Sequence, residues 1–418
     1  MRILLWHGYL LDGTGSNVYT RALAREWSLA GHDVTVVSQE PSPERYDLGG
    51  AATARPELPG GLLPVFVLDR YPGGLEARLL QDFTAEERRR YVEANVAALR
   101  ELLPADLVFA NHVLMGAAVG AALGEPFRVK AHGSELEYSI RGRPELEAWA
   151  RESLAEAEAV YVGSKHIREV LEEVAGHVDS VVEVPPGVDI AEFVPQARAE
   201  ALAELLEEAR RDQANPGNAE ERLPDEGNAA RFESFFAKEV PTVVYFGKLI
   251  ENKGVQLVLE ALDGLDARAV IVGFGDYREE LERLAAEHHE RVLFTGPLEH
   301  RHLVHLLPLA DAAVAPSIFP EAFGMVAAEA AAAGCPPLVA RHTGLAEIAA
   351  GLEQGYPEHL RHLAGFRTGE VPDLREKLTE LLELSASDRA ALRAAARRTV
   401  EERWSWAGVA ARLLAPVA

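Results

Sequence analysis

The stretch PSIFPEAFGMVAAEAAAAG, residues 316–334, decides the fold of this chain. The residues before it, DAAVA at 311–315, and the residues after it, PPLVA at 336–340, are short and apolar and predict buried strands. Between them, residues 325–333 are almost entirely Ala, Val and Glu, which favour a helix. Gly334 stands where a helix C-cap belongs. The stretch therefore predicts a strand, a loop, a helix and a second strand, as in an open parallel α/β sheet.

Two carboxylates flank the start of this helix, Glu321 in the loop and Glu329 one to two turns into the helix. In an open parallel sheet the loop lies at the carboxyl edge, where ligands bind, and the helix points unpaired N–H groups at that edge. Carboxylates accept hydrogen bonds from sugar hydroxyls, and Gly324 lets a ligand approach the backbone. The alternative is two solvated charges, which would be the better interpretation of any isolated pair of glutamates.

Composition limits the classes of protein to which the chain can belong. Its 418 residues predict two or three domains, and a hydrophobic content of 48% is ample for their cores. A net charge of −24 argues against nucleic acid and anionic membranes as partners. We expect a cytoplasmic location, because no signal peptide is evident, no apolar run approaches ~18 residues, and the sequence has a single cysteine, Cys335.

The N-terminal part predicts two apolar strands joined by a glycine-rich loop, residues 12–19, and a helix. This loop lacks the GxGxxG spacing of dinucleotide sites, so Gly13 and Gly15 point to an anion or sugar loop, with a simple turn as the alternative. Further along, a predicted strand ends at His132, just before Gly133. This order places the imidazole at the ligand edge of the sheet.

Two of the six lysines in the chain lie close together in the second half of the sequence. Lys248 and Lys253 bracket a loop that leaves the predicted strand at 242–246 and enters a helix. Two ammonium groups beside a helix N-terminus can hold a diphosphate. The alternative is a pair of solvated surface lysines, against which the scarcity of lysine elsewhere argues.

The segment PEAFGMVAAEAAAAGCPPLVA, residues 320–340, resembles the Glu-x7-Glu signature of the family 4 retaining glycosyltransferases, with Glu321 and Glu329 at the two motif positions. The resemblance implies an α/β fold of two Rossmann-like, doubly wound domains facing a central cleft, the GT-B fold. It covers nearly the whole chain, except residues 41–75 and 196–238. The first exception looks like an irregular excursion, and the second predicts an acidic, helical and partly disordered insertion.

The resemblance also implies the domain boundaries. An acceptor-side domain occupies residues 1–186, and a nucleotide-sugar donor domain occupies residues 187–400, including the atypical segment 196–238. A final helix within residues 402–418 is expected to pack back on the first domain.

The same resemblance implies roles for individual residues. Lys248 stands where the family has an arginine, which keeps the charge but loses bidentate geometry, and Thr343 replaces the first glycine of a loosely matched Gly-Gly-x-x-Glu loop. The implied catalytic residues are His132, Lys248, Lys253 and Glu321, the donor-binding residues are Gly13, Gly15, Gly247, Gly273, Leu298, Phe323, Gly324, Met325 and Glu329, and the acceptor-side residues are Ser16, Asn17 and Tyr19.

The implied reaction is the retaining transfer of a hexosyl group from a nucleotide-diphosphate sugar, which we expect to be a UDP-sugar, to a hydroxyl of a small soluble acceptor such as a sugar or an inositol phosphate. No metal and no other cofactor is expected, because the lysines take the place of a metal ion at the leaving diphosphate. The alternatives are a nucleotide-sugar epimerase or phosphorylase on the same fold, and a non-catalytic sugar-binding protein. Nucleic-acid binding and membrane association are not expected, and the sequence predicts no oligomeric state.

Overall fold

The computed structural model describes residues 1–66, 76–288 and 290–416. Within this part the chain forms two compact units, one from Met1–Gly187 with Trp406–Ala418 and one from Val188–Ser405. Each unit is built on one main sheet whose neighbouring strands are all parallel, with helices in the connections. The predicted α/β class with two Rossmann-like domains is confirmed.

The first unit contains a seven-stranded sheet of order β3-β2-β1-β6-β7-β8-β9 and a separate parallel pair, β4 and β5. Its interior strand β1 is apolar and buried after Arg2, as the Ile-Leu-Leu-Trp run requires in a sheet covered on both faces. The strands are β1 (Arg2–Trp6), β2 (Asp33–Val37), β3 (Ala52–Ala54), β4 (Leu62–Val65), β5 (Glu76–Leu79), β6 (Leu107–Asn111), β7 (Phe127–Lys130), β8 (Ala159–Val162) and β9 (Val181–Glu183).

In the described part of this unit, five α-helices lie between the strands. They are α1 (Gly15–Leu29), α2 (Ala85–Glu101), α3 (Ala118–Leu123), α4 (Pro144–Leu154) and α5 (Lys165–Ala175). The expected irregular excursion at 41–75 is only partly irregular, since β3 pairs with β2 at the edge of the main sheet and β4 follows it. Residues 67–75 of that excursion lie outside the described residues.

The second unit contains a six-stranded sheet of order β12-β11-β10-β13-β14-β15. Along the chain, β10 to β12 are added in one direction and β13 to β15 in the other, so the order reverses between β10 and β13. These strands are β10 (Thr242–Phe246), β11 (Arg268–Val272), β12 (Val292–Phe294), β13 (Ala312–Ala315), β14 (Pro337–Ala340) and β15 (Gly365–Phe366). The helices are α6 (Arg198–Arg210), α7 (Asn228–Phe236), α8 (Val255–Ala261), α9 (Arg278–Leu284), α10 (His300–Leu306), α11 (Met325–Ala332), α12 (Thr343–Gly355), α13 (Val371–Leu382) and α14 (Ala386–Arg403).

The strand, loop, helix and strand predicted around residues 316–334 are present as β13, α11 and β14. Gly334, two residues after the end of this helix, adopts a φ of 74°, which is the left-handed conformation that commonly terminates a helix. Five alanines of α11 are at most 2% exposed, because the small side chains let the helix lie close to its neighbours.

The segment 196–238 is ordered, in contrast to the expected partial disorder. Its two helices, α6 and α7, pack against each other, and α6 also contacts α10. The physical reason is that Leu205 and Phe232 are fully buried in the core of the second unit. Most of the acidic residues lie on the exposed face of the segment and dominate its composition, so the composition alone does not reveal the buried apolar face.

The last helix, α15 (Trp406–Leu414), belongs to the first unit. The indole N–H of Trp27 donates to the carbonyl of Ala410 at 3.0 Å, and Arg128 donates to the carbonyl of Leu413 at 2.8 Å. Trp406 packs so closely on Gly187 that a β-carbon there would lie 2.6 Å from the indole. The structure places the change between units at residues 187–188 and 405–406.

Candidate active site

The reversal of strand order between β10 and β13 brings two loops together in the second unit. These strands are parallel neighbours, with Val243 opposite Ala312, so the loop 247–254 after β10 and the loop 316–324 after β13 leave the same edge of the sheet in adjacent positions. Such a switch point is where open parallel sheets bind ligands, since the two loops diverge and leave a crevice. Most of the residues predicted for the donor site lie on or beside these loops.

Direct contacts hold the two loops to each other. The N–H of Ile318 donates to the carbonyl of Asn252 at 3.0 Å, and the hydroxyl of Ser317 donates to the same oxygen at 3.3 Å. Gly254 approaches the other loop so closely that a β-carbon would lie 2.2 Å from the carbonyl oxygen of Pro316. The loops 247–254 and 316–324 are therefore held together, and we call them the loop pair.

Two of the predicted catalytic residues meet in the loop pair. The ammonium group of Lys253 forms an ion pair with the carboxylate of Glu321, although 68 positions separate the two residues in sequence. Both side chains are partly exposed, at 28% and 22%, so a ligand arriving from solvent can contact them. The pair places a cation for a phosphate and an acceptor for hydroxyl groups side by side.

Lys248 lies on the same loop as Lys253 and its side chain is exposed. Its carbonyl accepts a hydrogen bond of 2.8 Å from the hydroxyl of Tyr245, whose pKa is raised by burial. Gly247 and Gly273 touch at the base of the loop, where a β-carbon on Gly273 would lie 1.8 Å from the carbonyl oxygen of Gly247. The tight contact explains glycine at 273, and it fixes the path of the backbone that carries Lys248.

A second contact holds Glu321 from the other side, and sequence reasoning missed most of it. The backbone N–H of Glu321 donates to the hydroxyl of Thr343 at 3.0 Å, and the N–H of Gly344 donates to the carbonyl of Glu321 at 3.0 Å. His342 donates to the carbonyl of Phe319 at 2.9 Å. The start of α12 therefore fixes the backbone at the predicted sugar-binding carboxylate.

Thr343 has a φ of 45°, which is a left-handed conformation that a β-branched residue rarely adopts. We expect the free energy of unfolding of Thr343→Gly to be about 1 kcal/mol higher than that of Thr343→Ala. Both variants lose the hydroxyl, but only glycine relieves the strain of the left-handed backbone. Urea titration of the two variants measures the difference. Equal stabilities would contradict a strained backbone at this position.

Phe323, Gly324 and Met325 connect the loop pair to α11. The Phe323 side chain is buried, with its ring 5.7 Å from that of Trp404, so only its backbone can serve a ligand. Gly324 has a φ of 113°, and a β-carbon there would lie 2.6 Å from Leu345. Met325 begins the helix and is partly buried.

Glu329 is buried at 8% exposure, so it is not the solvated helix charge of the alternative interpretation. Burial raises the pKa of its carboxyl group, and nearby His300 opposes this effect. The His300 Nε2 atom lies 3.7 Å from Glu329 Oε1, and its ring packs edge-on against Phe193 at 5.3 Å. His300 begins α10, two residues after Leu298 in the loop that follows β12, and sequence reasoning did not single it out.

The remaining predicted residues lie in the first unit, where Gly13 precedes α1 and Gly15 is its first residue. Gly13 requires glycine because its φ is 93°, whereas Gly15 has no positive φ. No atom lies within 4 Å of a β-carbon built on either residue, apart from chain neighbours. Ser16 is partly exposed, and its hydroxyl lies 3.2 Å from that of Thr14.

Asn17 and Tyr19 are more enclosed than an acceptor-binding role suggests, at 4% and 2% exposure. The Asn17 side-chain oxygen accepts a hydrogen bond of 2.8 Å from His7, since its amide group donates to the carbonyl of Asp12. The ring of Tyr19 packs edge-on against His132 at 5.1 Å. Both side chains support neighbouring histidines in this structure.

Three histidines form a cluster at the carboxyl ends of β1, β6 and β7. The ring of His112 lies 5.7 Å from that of His7 and 4.8 Å from that of His132. Burial lowers the pKa of all three, that of His7 to about 4, so the imidazoles are neutral at pH 7. His132 donates from Nε2 to the side-chain oxygen of Asn111 at 2.7 Å, because the amide group of Asn111 donates elsewhere.

Glu135 is a buried carboxyl group beneath this cluster that sequence reasoning also missed. It accepts hydrogen bonds from the N–H groups of Val113 at 2.7 Å and His132 at 3.4 Å, and so joins the loops after β6 and β7. Burial raises its pKa to about 8, against the opposing effect of these N–H donors. Its position two residues after Gly133 was the available signal.

Two Rossmann-like units, the second with two lysines in the loop pair at its switch point, are typical of glycosyltransferases of the GT-B class. A model described as "Glycosyl transferases group 1" matches residues 227–399, and one described as "Glycosyltransferase Family 4" matches residues 13–192. The chain belongs to this family of glycosyltransferases, as predicted, while the Glu-x7-Glu motif and the retaining mechanism stay predictions.

Named relatives extend over different shares of the chain. The chain is 26% identical over 323 residues to the GDP-mannose-dependent monoacylated alpha-(1-6)-phosphatidylinositol monomannoside mannosyltransferase of Corynebacterium glutamicum, covering 72% of this chain and 75% of that protein. It is 30% identical over 304 residues to a GDP-mannose-dependent alpha-(1-6)-phosphatidylinositol monomannoside mannosyltransferase of Mycobacterium tuberculosis, covering 68% and 66%. It is 31% identical over 179 residues to the D-inositol 3-phosphate glycosyltransferase of Xylanimonas cellulosilytica, covering 41% and 37%.

Solved structures show the same fold at low sequence identity. Anabaena Alr3699/HepE in complex with UDP superposes with a TM-score of 0.68 at 18% identity, covering 99% of this chain and 98% of that one. The sucrose-phosphate synthase of Thermosynechococcus elongatus gives a TM-score of 0.67 at 19% identity, covering 99% and 97%. Within the described ranges, the structure has no helix with the length and apolar character needed to cross a membrane.

Proposed function

We propose that the protein transfers a hexosyl group from a nucleoside-diphosphate sugar to an acceptor hydroxyl with retention of anomeric configuration. The observation that carries this proposal is the loop pair, in which Lys253 and Glu321 meet at the switch point of the second sheet. Buried Glu329 on α11 supports it, because a carboxylate at this edge of an α/β sheet is suited to a ribose diol.

In the proposed reaction, the bond from the anomeric carbon to the diphosphate oxygen breaks and a bond to the acceptor oxygen forms. Lys248, Lys253 and the backbone at Gly324 stabilise the charge that develops on the diphosphate. Glu321 orients the sugar hydroxyls, and Glu329 holds the ribose. The acceptor proton passes to the departing phosphate oxygen, so no side chain has to serve as general base. His132 is assigned to the donor sugar by the family resemblance alone.

The proposed reaction needs no metal ion, because the lysine side chains supply the positive charge. In the part of the chain that the structure describes, no three His, Cys, Asp or Glu side chains are grouped to hold a metal ion. Turnover that is unchanged by EDTA is the expected result, and restoration of activity by Mg²⁺ after EDTA would contradict it.

The sequence expectation and the named relatives point to different donor nucleotides. The sequence expectation is a UDP-sugar, whereas two relatives that match about two thirds of the chain or more are named as GDP-mannose-dependent. GDP-mannose is therefore the second donor that a specific observation favours. The acceptor differs in the same way, because these relatives are named for phosphatidylinositol mannosides and another for inositol 3-phosphate. The names of these relatives and the sequence expectation of a small soluble acceptor agree on one point, which is that the acceptor group is a hydroxyl of an inositol or a sugar.

A thermal-shift panel with UDP, GDP and ADP, in the presence of EDTA, tests the donor proposal. A nucleotide at 100 times its dissociation constant adds about 2.7 kcal/mol to the free energy of unfolding, which gives a readable shift. We expect one nucleotide to exceed the others. NMR of the product formed from the matching sugar donor then reports the anomeric configuration, and an inverted product would overturn the retaining assignment.

The panel also separates the alternative functions. A sugar-binding protein would respond to free sugars and to none of the nucleotides. A phosphorylase would require inorganic phosphate to release sugar from a glycan, and an epimerase would change the nucleotide sugar without any acceptor. A strong nucleotide shift together with acceptor-dependent release of the nucleoside diphosphate is the outcome that supports the transferase.

A further inference from the structure

The segment 196–238 has no role in the proposed reaction, yet it lies against the predicted donor site. The two family models end at residue 192 and resume at residue 227, so they leave most of the segment unmatched. Its helices α6 and α7 pack on the core of the second unit, and the turn between them runs along the carboxyl ends of β11 and β12. The contacts of this turn with the loops after those strands indicate what it does.

Asp225 anchors the turn to the loop that follows β12. Its backbone N–H donates to the carbonyl of Thr295 at 2.9 Å, and its carboxylate accepts two hydrogen bonds from Arg278, at 2.8 and 2.6 Å. Gly296 has no side chain at this contact, where a β-carbon would lie 2.6 Å from the Asp225 carboxylate. The loop that leads to Leu298 is therefore shaped around the inserted segment.

The start of α7 adds two more contacts at the same place. The side-chain amide of Asn228 donates to the carbonyl of Thr295 at 2.8 Å, and Arg231 donates to the carbonyl of Phe294 at 2.5 Å. Asp225 and Asn228 are both at most 5% exposed. These buried polar contacts fix the position of the turn relative to the ends of the strands.

Arg222, on this anchored turn, reaches the neighbouring loop. Its guanidinium carbon lies 5.5 Å from the centre of the Phe274 ring, in a cation–π contact. Phe274 is partly exposed and stands between Gly273 and Gly275, directly after β11. Because Gly273 touches Gly247 of the loop pair, this flat guanidinium and ring adjoin the residues assigned to the diphosphate.

We propose that Arg222 and Phe274 form the wall on which the base of the donor nucleotide stacks, so that the inserted segment sets base affinity. This inference rests on the proposed function and names two residues that hold the base of its donor. Every base presents a flat π-face that an aromatic ring and a guanidinium can contact. Stacking of this kind tolerates any base, so the wall adds affinity for the nucleoside part of the donor over a bare diphosphate.

Calorimetric titration of the full chain with GDP, UDP, ADP and inorganic pyrophosphate tests the proposal. We expect Arg222→Ala to weaken binding of the preferred nucleotide about tenfold and to leave pyrophosphate binding unchanged. Phe274→Leu should give the same pattern, since it keeps an apolar side chain but removes the ring. Arg211→Ala is the matched control, because Arg211 is an exposed arginine of the same segment that pairs with Glu207 and Glu208 on α6.

Each other outcome has a defined meaning. Unchanged nucleotide binding in both variants overturns the proposal, and so does an equal loss of nucleotide and pyrophosphate, which would show a general loosening of the site. A wild-type protein that binds pyrophosphate and no nucleotide overturns this inference while leaving the phosphate site intact. A wild-type protein that binds neither overturns the proposed function itself.

Discussion

Replacing Lys253 with alanine is expected to lower kcat by 10²- to 10³-fold, which corresponds to about 3–4 kcal/mol of lost transition-state stabilisation. The ammonium group lies in the loop pair beside Glu321, where charge on the leaving diphosphate would develop. Lys253→Arg should retain more activity than the alanine variant, because it keeps the charge in a larger side chain. Steady-state rates with a saturating donor give the comparison.

Two controls separate the charge of Lys253 from its ion pair. Lys238→Ala removes an exposed lysine of the same unit and should leave kcat unchanged. Glu321→Gln removes the partner charge, so we expect pyrophosphate to bind several-fold more tightly while turnover falls, because the freed ammonium no longer shares its charge. Full turnover by Lys253→Ala would end the assignment of this residue to the diphosphate.

Gly254→Ala is expected to destabilise the second unit by about 2–4 kcal/mol. Gly254 has a φ of 71°, and its added β-carbon would lie 2.2 Å from the carbonyl oxygen of Pro316, which is a backbone atom. One of the two loops must therefore move, and Lys253 is the adjacent residue. We expect kcat to fall by an order of magnitude or more as well, since positional errors of about 1 Å can cost 10²-fold in rate.

The chain offers a matched control for this substitution in Gly264. It has a φ of 81° in the same unit, and a β-carbon added there would have no atom within 4 Å apart from its chain neighbours. Gly264→Ala should cost only the backbone term of about 1–2 kcal/mol and leave kcat unchanged. Urea unfolding and initial rates of both variants test the expectation, and equal losses in the two would show that the contact with Pro316 is unimportant.

The sequence predicts the elements of the site well, because their signals are local. Apolar strands, the alanine-rich helix α11 and Gly334 are visible within residues 311–340, and the structure has them at these places. That Lys253 and Glu321 share one sheet edge also follows from the strands that precede them. Their ion pair does not follow, since it depends on how two loops far apart in sequence fold against each other.

The residues that sequence reasoning missed act through such distant contacts. His300 reaches Glu329 from another helix, and His342 with Thr343 holds the backbone at Glu321 from the start of α12. A pattern within one segment carries no trace of these pairings. The prediction of partial disorder for the segment 196–238 was wrong for a different reason. It gave more weight to the charged composition than to the few apolar residues that pack into the core.

The return of α15 to the first unit reverses the order in which the two units can be completed during synthesis. Ribosomes release the chain from its N-terminus, so domains generally fold in that order. Here Trp27 and Arg128 emerge early, but their acceptors, the carbonyls of Ala410 and Leu413, emerge only after the whole second unit. The surface around Trp27 and Arg128 in the nascent first unit therefore stays uncovered until α15 is made. By that point the second unit already has all of its own residues. The polypeptide finishes its later half first, and its last helix closes the earlier half.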